Sequence, residues 1–351
     1  MPFWQLKKQK TMKQYFISQN KKQYRANLHS HSTLSDGMLS PEELKRIYRE
    51  HGYSILAITD HEHPKSHAAL SEPDFLMLTG YEAYIRTNLN AQFDRYEPEV
   101  HLNLFAKDPH NETMICFNDV YCKYINDPTE RATLRRVGSE RPREYSVAYV
   151  NEFIRTAVAQ GYLVSYNHPV WSMEDEERVL SYENIFSLEI QNYSSYRQNG
   201  IEYSGALYDK MLRRRKKVFC HAGDDNHNKA PLTCPRSDSF GSFTMILADD
   251  LSYDSVIEAM ETGEMYASEG PLLHEISMEN GVVHIECSPA KRIILYTGSK
   301  APKFAVSEGG KTISSADLKL DPIAPYFRVA VIDEEGKIAS SRGFFRSEFQ
   351  A

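Results

Sequence analysis

The chain has 351 residues, 41% of them hydrophobic and 25% charged, with a formal net charge of −7. That balance fits a folded protein with a sizeable core and disfavours a groove built to neutralise nucleic-acid phosphates. Five cysteines without a C-x-x-C pair exclude a zinc knuckle and do not read as a disulfide framework, so a reducing, cytoplasmic setting is expected. The opening stretch "MPFWQLKKQKTMKQYFISQNKK" is basic and has no apolar run of signal-peptide or membrane-span length.

In chain order, "NLHSHSTLSDG" (27–37) reads as a strand running into an Asp-Gly turn. "SPEELKRIYREHG" carries a capping box, with Ser40 as cap, Pro41 at the first helical position, Glu43 reaching back and Gly52 closing the helix. "SILAITDHEH" predicts a buried strand, and "FLMLTGYEAYI" and "EVHLNLFAKD" two more. The stretch from about 86 to 145 is the least regular, with one possible helix near "ETMICFNDVYCKYI". The helix "SVAYVNEFIRTAVAQG", strands "YLVSYNHP" and "SLEIQN", helix "GALYDKMLRRRKK", strands "KVFCHAGDDNH" and "FGSFTMILAD" and helix "SYDSVIEAMETG" follow. Alternating strands and helices imply an α/β domain with a parallel sheet, open or closed. The run Arg213–Lys217 suits a solvated helix end better than a nucleic-acid patch. From residue 271 short alternating segments broken by "NG", "GG" and "EEGK" predict a small antiparallel β domain over 271–351, after a larger domain over 1–270.

The metal-capable residues share a phase. His29 and His31 end the first strand with Asp36 beyond; Asp60 and His61 end the second; Glu82 ends the third; His101 lies on the fourth. His168 ends the fifth, and Asp225 and His227 follow "KVFCHAG". In a closed barrel of parallel strands such ends share one face. His51, His67, His110, His274 and His284 fall outside the pattern. Imidazole and carboxylate donors without thiolate suit zinc, manganese or iron, and the set is larger than one ion needs.

The motifs "HSHSTLSDG", "ITDHEH", "GYEAYI", "HLNLF", "NHPVW" and "GDDNH" resemble those of the polymerase and histidinol phosphatase (PHP) family of metal-dependent hydrolases, over residues 24 to 270. The resemblance implies a distorted (β/α)7 barrel holding two or three divalent ions. "AMETGEMYASEGPLL" and the tail are similar to the subset with a C-terminal β-sandwich, which includes carbamate and amide hydrolases. By the same resemblance His29, His31, Glu82 and Asp225 hold the first ion, Glu82 bridges to a second held by His101 and His168, and Asp36, His61 and His227 hold the third. Asp36 stands where many relatives have histidine. Asp224, beside this set, is a candidate for catalysis or for orienting a neighbour.

Such ions make hydroxide available near neutral pH and withdraw charge from a phosphoryl or carbonyl oxygen, so the reaction class is hydrolysis. The expected substrate is a small phosphorylated molecule, with Arg197 and Arg236 as anion-binding candidates and His63 as a proton donor to the leaving group. His221 is either a support for a ligand or an ordinary strand residue. The alternatives are an amide, ester or carbamate hydrolase with the same centre, a nuclease or proofreading module, and a metal-binding protein without catalysis. No membrane or nucleic-acid partner is expected, and the residues do not choose an oligomeric state.

Overall fold

The computed structural model describes residues 13–86, 96–115 and 118–349. The basic stretch 1–12, and residues 87–95 and 116–117 of the irregular segment, lie outside the described residues. Two compact units emerge. Among the described residues one comprises 21–270 with 340–342, the other 13–20, 271–339 and 343–349.

The chain begins with strands β1 (Gln14–Ile17) and β2 (Lys22–Asn27), helix α1 (Pro41–Glu50), and strands β3 (Ile55–Ile58), β4 (Leu76–Arg86) and β5 (Glu99–Ala106). Next come β6 (Met114–Ile115), α2 (Pro128–Thr133), β7 (Arg136–Val137), α3 (Val147–Ala159), β8 (Tyr162–Tyr166), α4 (Glu176–Val179) and β9 (Ser187–Asn192). The larger unit continues with α5 (Tyr193–Asn199), α6 (Gly205–Arg213), β10 (Phe219–Gly223), β11 (Phe243–Ala248), α7 (Tyr253–Thr262) and β12 (Met265–Ser268).

Local chemistry accounts for much of this. Ser40 and Glu43 close the expected capping box on α1, whose Leu44, Ile47 and Tyr48 are buried at helical spacing. The left-handed turn after α1 falls on Gly52, at φ 77°. Ser146 and Ser252 cap α3 and α7, and Gly263 ends α7 in the left-handed conformation. All of β3 and nearly all of β4 is buried, as their unbroken apolar runs require. Ala26, Leu28, Ile55, Leu78, Ile246 and Met260 belong to the core they share.

Strand order in this unit is β10-β9-β8-β5-β4-β3-β2-β11-β12, giving a mixed α/β architecture. The expectation of an all-parallel sheet is corrected: β5 runs antiparallel to both β4 and β8, and β11 antiparallel to both β2 and β12. A side chain links β10, at one end of the path, to β11, next to the other: Thr244 Oγ1 accepts from Ala222 N–H at 3.0 Å and donates to Ala222 O at 2.8 Å. The helix expected near "ETMICFNDVYCKYI" is also corrected. Met114–Ile115 is a short strand parallel to Arg136–Val137, and Asp119–Tyr121 is a single 3-10 turn.

The smaller unit contains β13 (Leu273–Glu279), β14 (Val282–Ala290), β15 (Arg292–Tyr296), β16 (Lys303–Val306), β17 (Ile313–Lys319) and β18 (Tyr326–Ile332). It is antiparallel throughout, with β1-β13-β14-β17 in one sheet and β15 between β16 and β18. The N-terminal strand therefore belongs to it through pairing with β13, and Phe16 packs against Phe327 and Phe344 at ring distances of 5.0 and 4.8 Å. No helix among the described residues is long and apolar enough to cross a membrane. Cys122, Cys220, Cys234 and Cys287 are free thiols.

One buried ion pair ties the loop after β3 to β4 and to the segment that leads into α3. Arg143 and Glu62 are both fully enclosed; Arg143 Nη2 donates to Glu62 Oε2 at 2.9 Å, and Glu62 Oε1 accepts from Tyr84 N–H at 2.8 Å. Replacing one partner strands the other charge away from water. Arg143→Ala is expected to lower unfolding stability by about 3–5 kcal/mol, read from the midpoint of denaturant unfolding at constant slope.

Candidate metal centre

The first histidines sit just past β2, not on it. β2 ends at Asn27, and the segment beyond is held by the loop after β10: His31 N–H donates to Asn226 O at 3.0 Å and Asp225 N–H to His29 O at 2.9 Å. Asn27 Oδ1 accepts from Asp224 N–H at 2.9 Å, tying the two segments where β2 stops. The turn after them is fixed by Asp60, which accepts from Ser32 N–H, Ser32 Oγ and Ser35 Oγ. Gly37 is required by close approach, because a Cβ there would lie 2.1 Å from His31 O. Asp60 is thus a loop anchor, and the turn it shapes carries Asp36.

Glu82 is the point of convergence. Its Oε1 lies 3.2 Å from His29 Nε2, 3.0 Å from His101 Nδ1 and 3.3 Å from His168 Nε2; its Oε2 lies 3.0 Å from His61 Nδ1 and 3.5 Å from His31 Nε2. Asp225 Oδ1 lies 3.0 Å from His31 Nε2 and 3.2 Å from His29 Nε2. Asp36 Oδ1 lies 3.3 Å from His227 Nε2 and 3.8 Å from His61 Nε2. His101 lies on its strand as expected, near the start of β5, and reaches the same face because β5 runs against its neighbours; Glu82, expected at a strand end, lies inside β4, which continues to Arg86.

All nine residues expected to bind metal are therefore gathered together. Their donor atoms fall into overlapping groups, each within 4.8 Å: His29 with His31 and Asp225; His29 with Glu82 and His168; His61 with Glu82 and His101; and His31 with Asp36, His61 and His227. The electrostatics match a cation site. Although burial opposes ionisation, the imidazoles around Glu82 hold its carboxyl well below the usual range, and Asp225 is held down likewise. Burial pulls His101 down, yet Glu82 and Glu99 raise it to about 10, while burial together with His61 and His227 lowers His31 to about 4. Buried atoms with no hydrogen-bond partner include His29 Nε2, His31 Nδ1, Asp36 Oδ1, His61 Nδ1 and Glu82 Oε2. Orphaned nitrogen and oxygen donors turned toward one another are what N/O-ligated divalent ions would satisfy.

Other candidates go elsewhere. Asp224, considered for catalysis, is fully buried and accepts backbone N–H bonds from Phe240, Gly241 and Ser242 and the Tyr48 hydroxyl, which makes it an anchor of that loop. His63, considered as proton donor, has Nδ1 3.1 Å from Leu34 O and Nε2 3.3 Å from Glu130 Oε1, and it lines a separate cavity. His221 lies between Ser187 Oγ and Ser165 Oγ. His51 stacks on Phe240, and His284 pairs with Asp317 and Glu286.

Arg197 and Arg236 do line the cavity over the cluster, a space of about 840 Å³. Sequence reading missed its neighbours Tyr84, Arg86, Lys123, Tyr124 and Trp171. The ammonium of Lys123, an exposed residue, lies over the rings of Tyr84 and Tyr124. It missed Glu189 as well, a fully buried carboxylate behind His29 whose only signal was an acid inside the apolar strand "SLEIQN".

No family model matches the sequence, and no curated protein matches it. Solved structures do resemble it. A two-domain protein from Bacteroides vulgatus containing a predicted PHP-like metal-dependent phosphoesterase is 13% identical, with TM-score 0.45 over 95% of this chain and 90% of that one. A provisionally assigned metal-dependent phosphoesterase from Bifidobacterium adolescentis is 18% identical, with TM-score 0.40 over 67% of this chain and 95% of that one. An amidohydrolase from Chromobacterium violaceum, with bound sulfate and no metal, is 16% identical, with TM-score 0.38 over 57% and 87%. At these values the likeness assigns neither an activity nor a family.

Ions that bind only the folded state stabilise it by mass action, by about 2.7 kcal/mol at a hundredfold excess over Kd. Manganese, zinc or iron(II) added to chelator-treated protein is therefore expected to raise the melting temperature, and Glu82→Gln to cut both the shift and the metal content per chain. An unchanged melting curve in the wild-type protein would count against the centre.

Proposed function

We propose that the protein is a metal-dependent phosphoesterase of the PHP type, acting on a small phosphorylated molecule. On this reading the larger unit is a distorted (β/α)7 barrel, the smaller a β-sandwich, and the setting cytoplasmic. The observation that carries the choice of an anionic substrate is the cavity wall. Among the described residues no carboxylate pairs with Lys123, Arg197 or Arg236, yet all three line the space above the cluster. Unpaired cations facing one cavity repel each other and the bound ions, and an anionic substrate relieves that repulsion. A neutral amide would not.

The bound ions would supply water activation and charge withdrawal from a phosphoryl oxygen. His29, His31, Glu82 and Asp225 would hold the first, Glu82, His101 and His168 the second, and Asp36, His61 and His227 the third. The chain's own residues do the rest. Arg197 and Arg236 present planar guanidinium groups that suit paired phosphate oxygens. Lys123, whose ammonium is held below its usual range by burial and by Arg86, is the cavity cation best suited to give up a proton to a leaving group. Tyr84, Tyr124 and Trp171 wall the space against bulk water.

Metal-loaded protein is expected to hydrolyse phosphomonoesters in preference to phosphodiesters, amides and carbamates, with activity lost on chelation and restored by added metal. Preference for an amide or carbamate would overturn the phosphoester assignment. Glu82→Gln should abolish nearly all turnover, whereas Asp36→Ala should lose one ion and keep partial activity. Arg197→Ala and Arg236→Ala should each raise KM about tenfold, a loss of ~1.4 kcal/mol, with kcat changed less.

A further inference from the structure

Glu189 makes no approach to the cavity, yet it touches the back of the cluster at several points. The carboxylate is fully buried on β9. Its Oε1 lies 3.0 Å from His29 Nδ1, and its Oε2 accepts from His168 N–H at 3.0 Å and from Asn192 Nδ2 at 2.9 Å. The Asn192 amide is oriented without ambiguity, because its Oδ1 accepts from Ser195 N–H at 2.9 Å as the cap of α5. Its Nδ2 then also donates to Asp225 Oδ2 at 3.2 Å. Gly223, on the adjacent strand, leaves the space: a Cβ there would lie 2.8 Å from His29 Cβ and 2.9 Å from Glu189 Oε1.

We infer that Glu189 is a positioning residue that fixes three metal-binding residues at once, His29 and His168 directly and Asp225 through Asn192. His168 N–H and the Asn192 amide are fixed donors to its Oε2, and an ionised carboxylate, which carries no proton to donate, then accepts from His29 Nδ1 at Oε1. Accepting from Nδ1 sets the His29 tautomer, with the proton on Nδ1 and the lone pair on Nε2. That Nε2 is the orphaned atom 3.2 Å from both Glu82 Oε1 and Asp225 Oδ1. Supports of this kind orient a ligand imidazole and raise its basicity, and their loss weakens metal binding about 10- to 100-fold.

The inference rests on the metal-centre reading, and the experiment separates the two. Cobalt(II) affinity and stoichiometry are measured by chelator competition on wild-type, Glu189→Gln and Asn192→Ser proteins, alongside the melting temperature of each in chelator. Glutamine keeps the shape and one acceptor oxygen but turns an N–H toward a donor. The serine keeps a capping hydroxyl and removes the bridge to Asp225. The expected result is a 10- to 100-fold weaker cobalt affinity for Glu189→Gln at a metal-free melting temperature close to wild type, with a smaller loss for Asn192→Ser. Wild-type affinity and full stoichiometry in Glu189→Gln overturn the positioning role while leaving the metal centre standing. If Glu189→Gln does not fold, Asn192→Ser decides: weakened cobalt binding supports the role, and unchanged binding overturns it. A wild-type protein that takes up no cobalt overturns the metal centre itself, and the positioning role with it.

Discussion

A carboxylate enclosed by imidazoles sets the terms for the larger unit. Glu82 is 1% exposed and sits within 3.5 Å of nitrogens from five histidines. Burying such a charge without compensation would cost several kcal/mol, so positive charge must reach it as protons or as metal ions. The opposed titration of its neighbours reflects that demand: His101 is driven to hold a proton while His31, crowded by His61 and His227, is driven to release one. Divalent ions would meet the same demand without asking any imidazole to carry charge.

The sheet delivers these groups through its irregularities. β4 runs on past the end of its parallel partner β3, which lets Glu82 meet the His61 segment through a single bridge. β5 reverses direction and brings His101 in from its own beginning. Where the chain leaves a strand to place a ligand, the backbone is bent: His168 has φ 26° and Asp225 φ 54°, neither of them glycine. Such conformations cost about 1–3 kcal/mol each and persist only where the surroundings hold them. Here Glu189 grips the His168 amide, Glu202 accepts from Val170 and Trp171 N–H, and Asp238 accepts from His227 and Asn228 N–H.

Two layers of charge follow. The inner one is anionic, from Glu82, Asp225 and Asp36, and is matched to cations. The outer one is cationic, from Lys123, Arg197 and Arg236, and faces the cavity. Asp36 lies where they meet, with Oδ1 toward His227 and Oδ2 3.2 Å from Lys229 Nζ. An ion beside Asp36 would share that carboxylate with a lysine, which explains why the third position is the one whose loss is expected to leave partial activity.

Most of the His, Asp and Glu side chains that cluster were legible as a set in the sequence because they sit near strand boundaries marked by apolar runs, and strand boundaries are local events; Glu82, inside β4, and Asp36, well beyond β2, are the exceptions. The alternation of helices and strands up to 270 and the capping box at Ser40 were legible for the same reason, since each depends only on residues a few positions apart. The direction of β5 was not, because pairing direction is settled by what the connecting segment allows and by partners far away in sequence. Asp224 and His63 show the same limit. Their residue types and places suited catalysis, but the backbone of 240–242 claimed one and Glu130 the other, contacts made only in the folded chain. Glu189 was overlooked because an acid in an apolar strand has no meaning until the strand beside it brings His29 within 3.0 Å. The sequence by itself determined which side chains have metal-binding chemistry and that most of them lie near strand termini; tertiary structure decided which of them face one another, which carboxylates stand behind them and which cations line the cavity, because those depend on long-range register and burial.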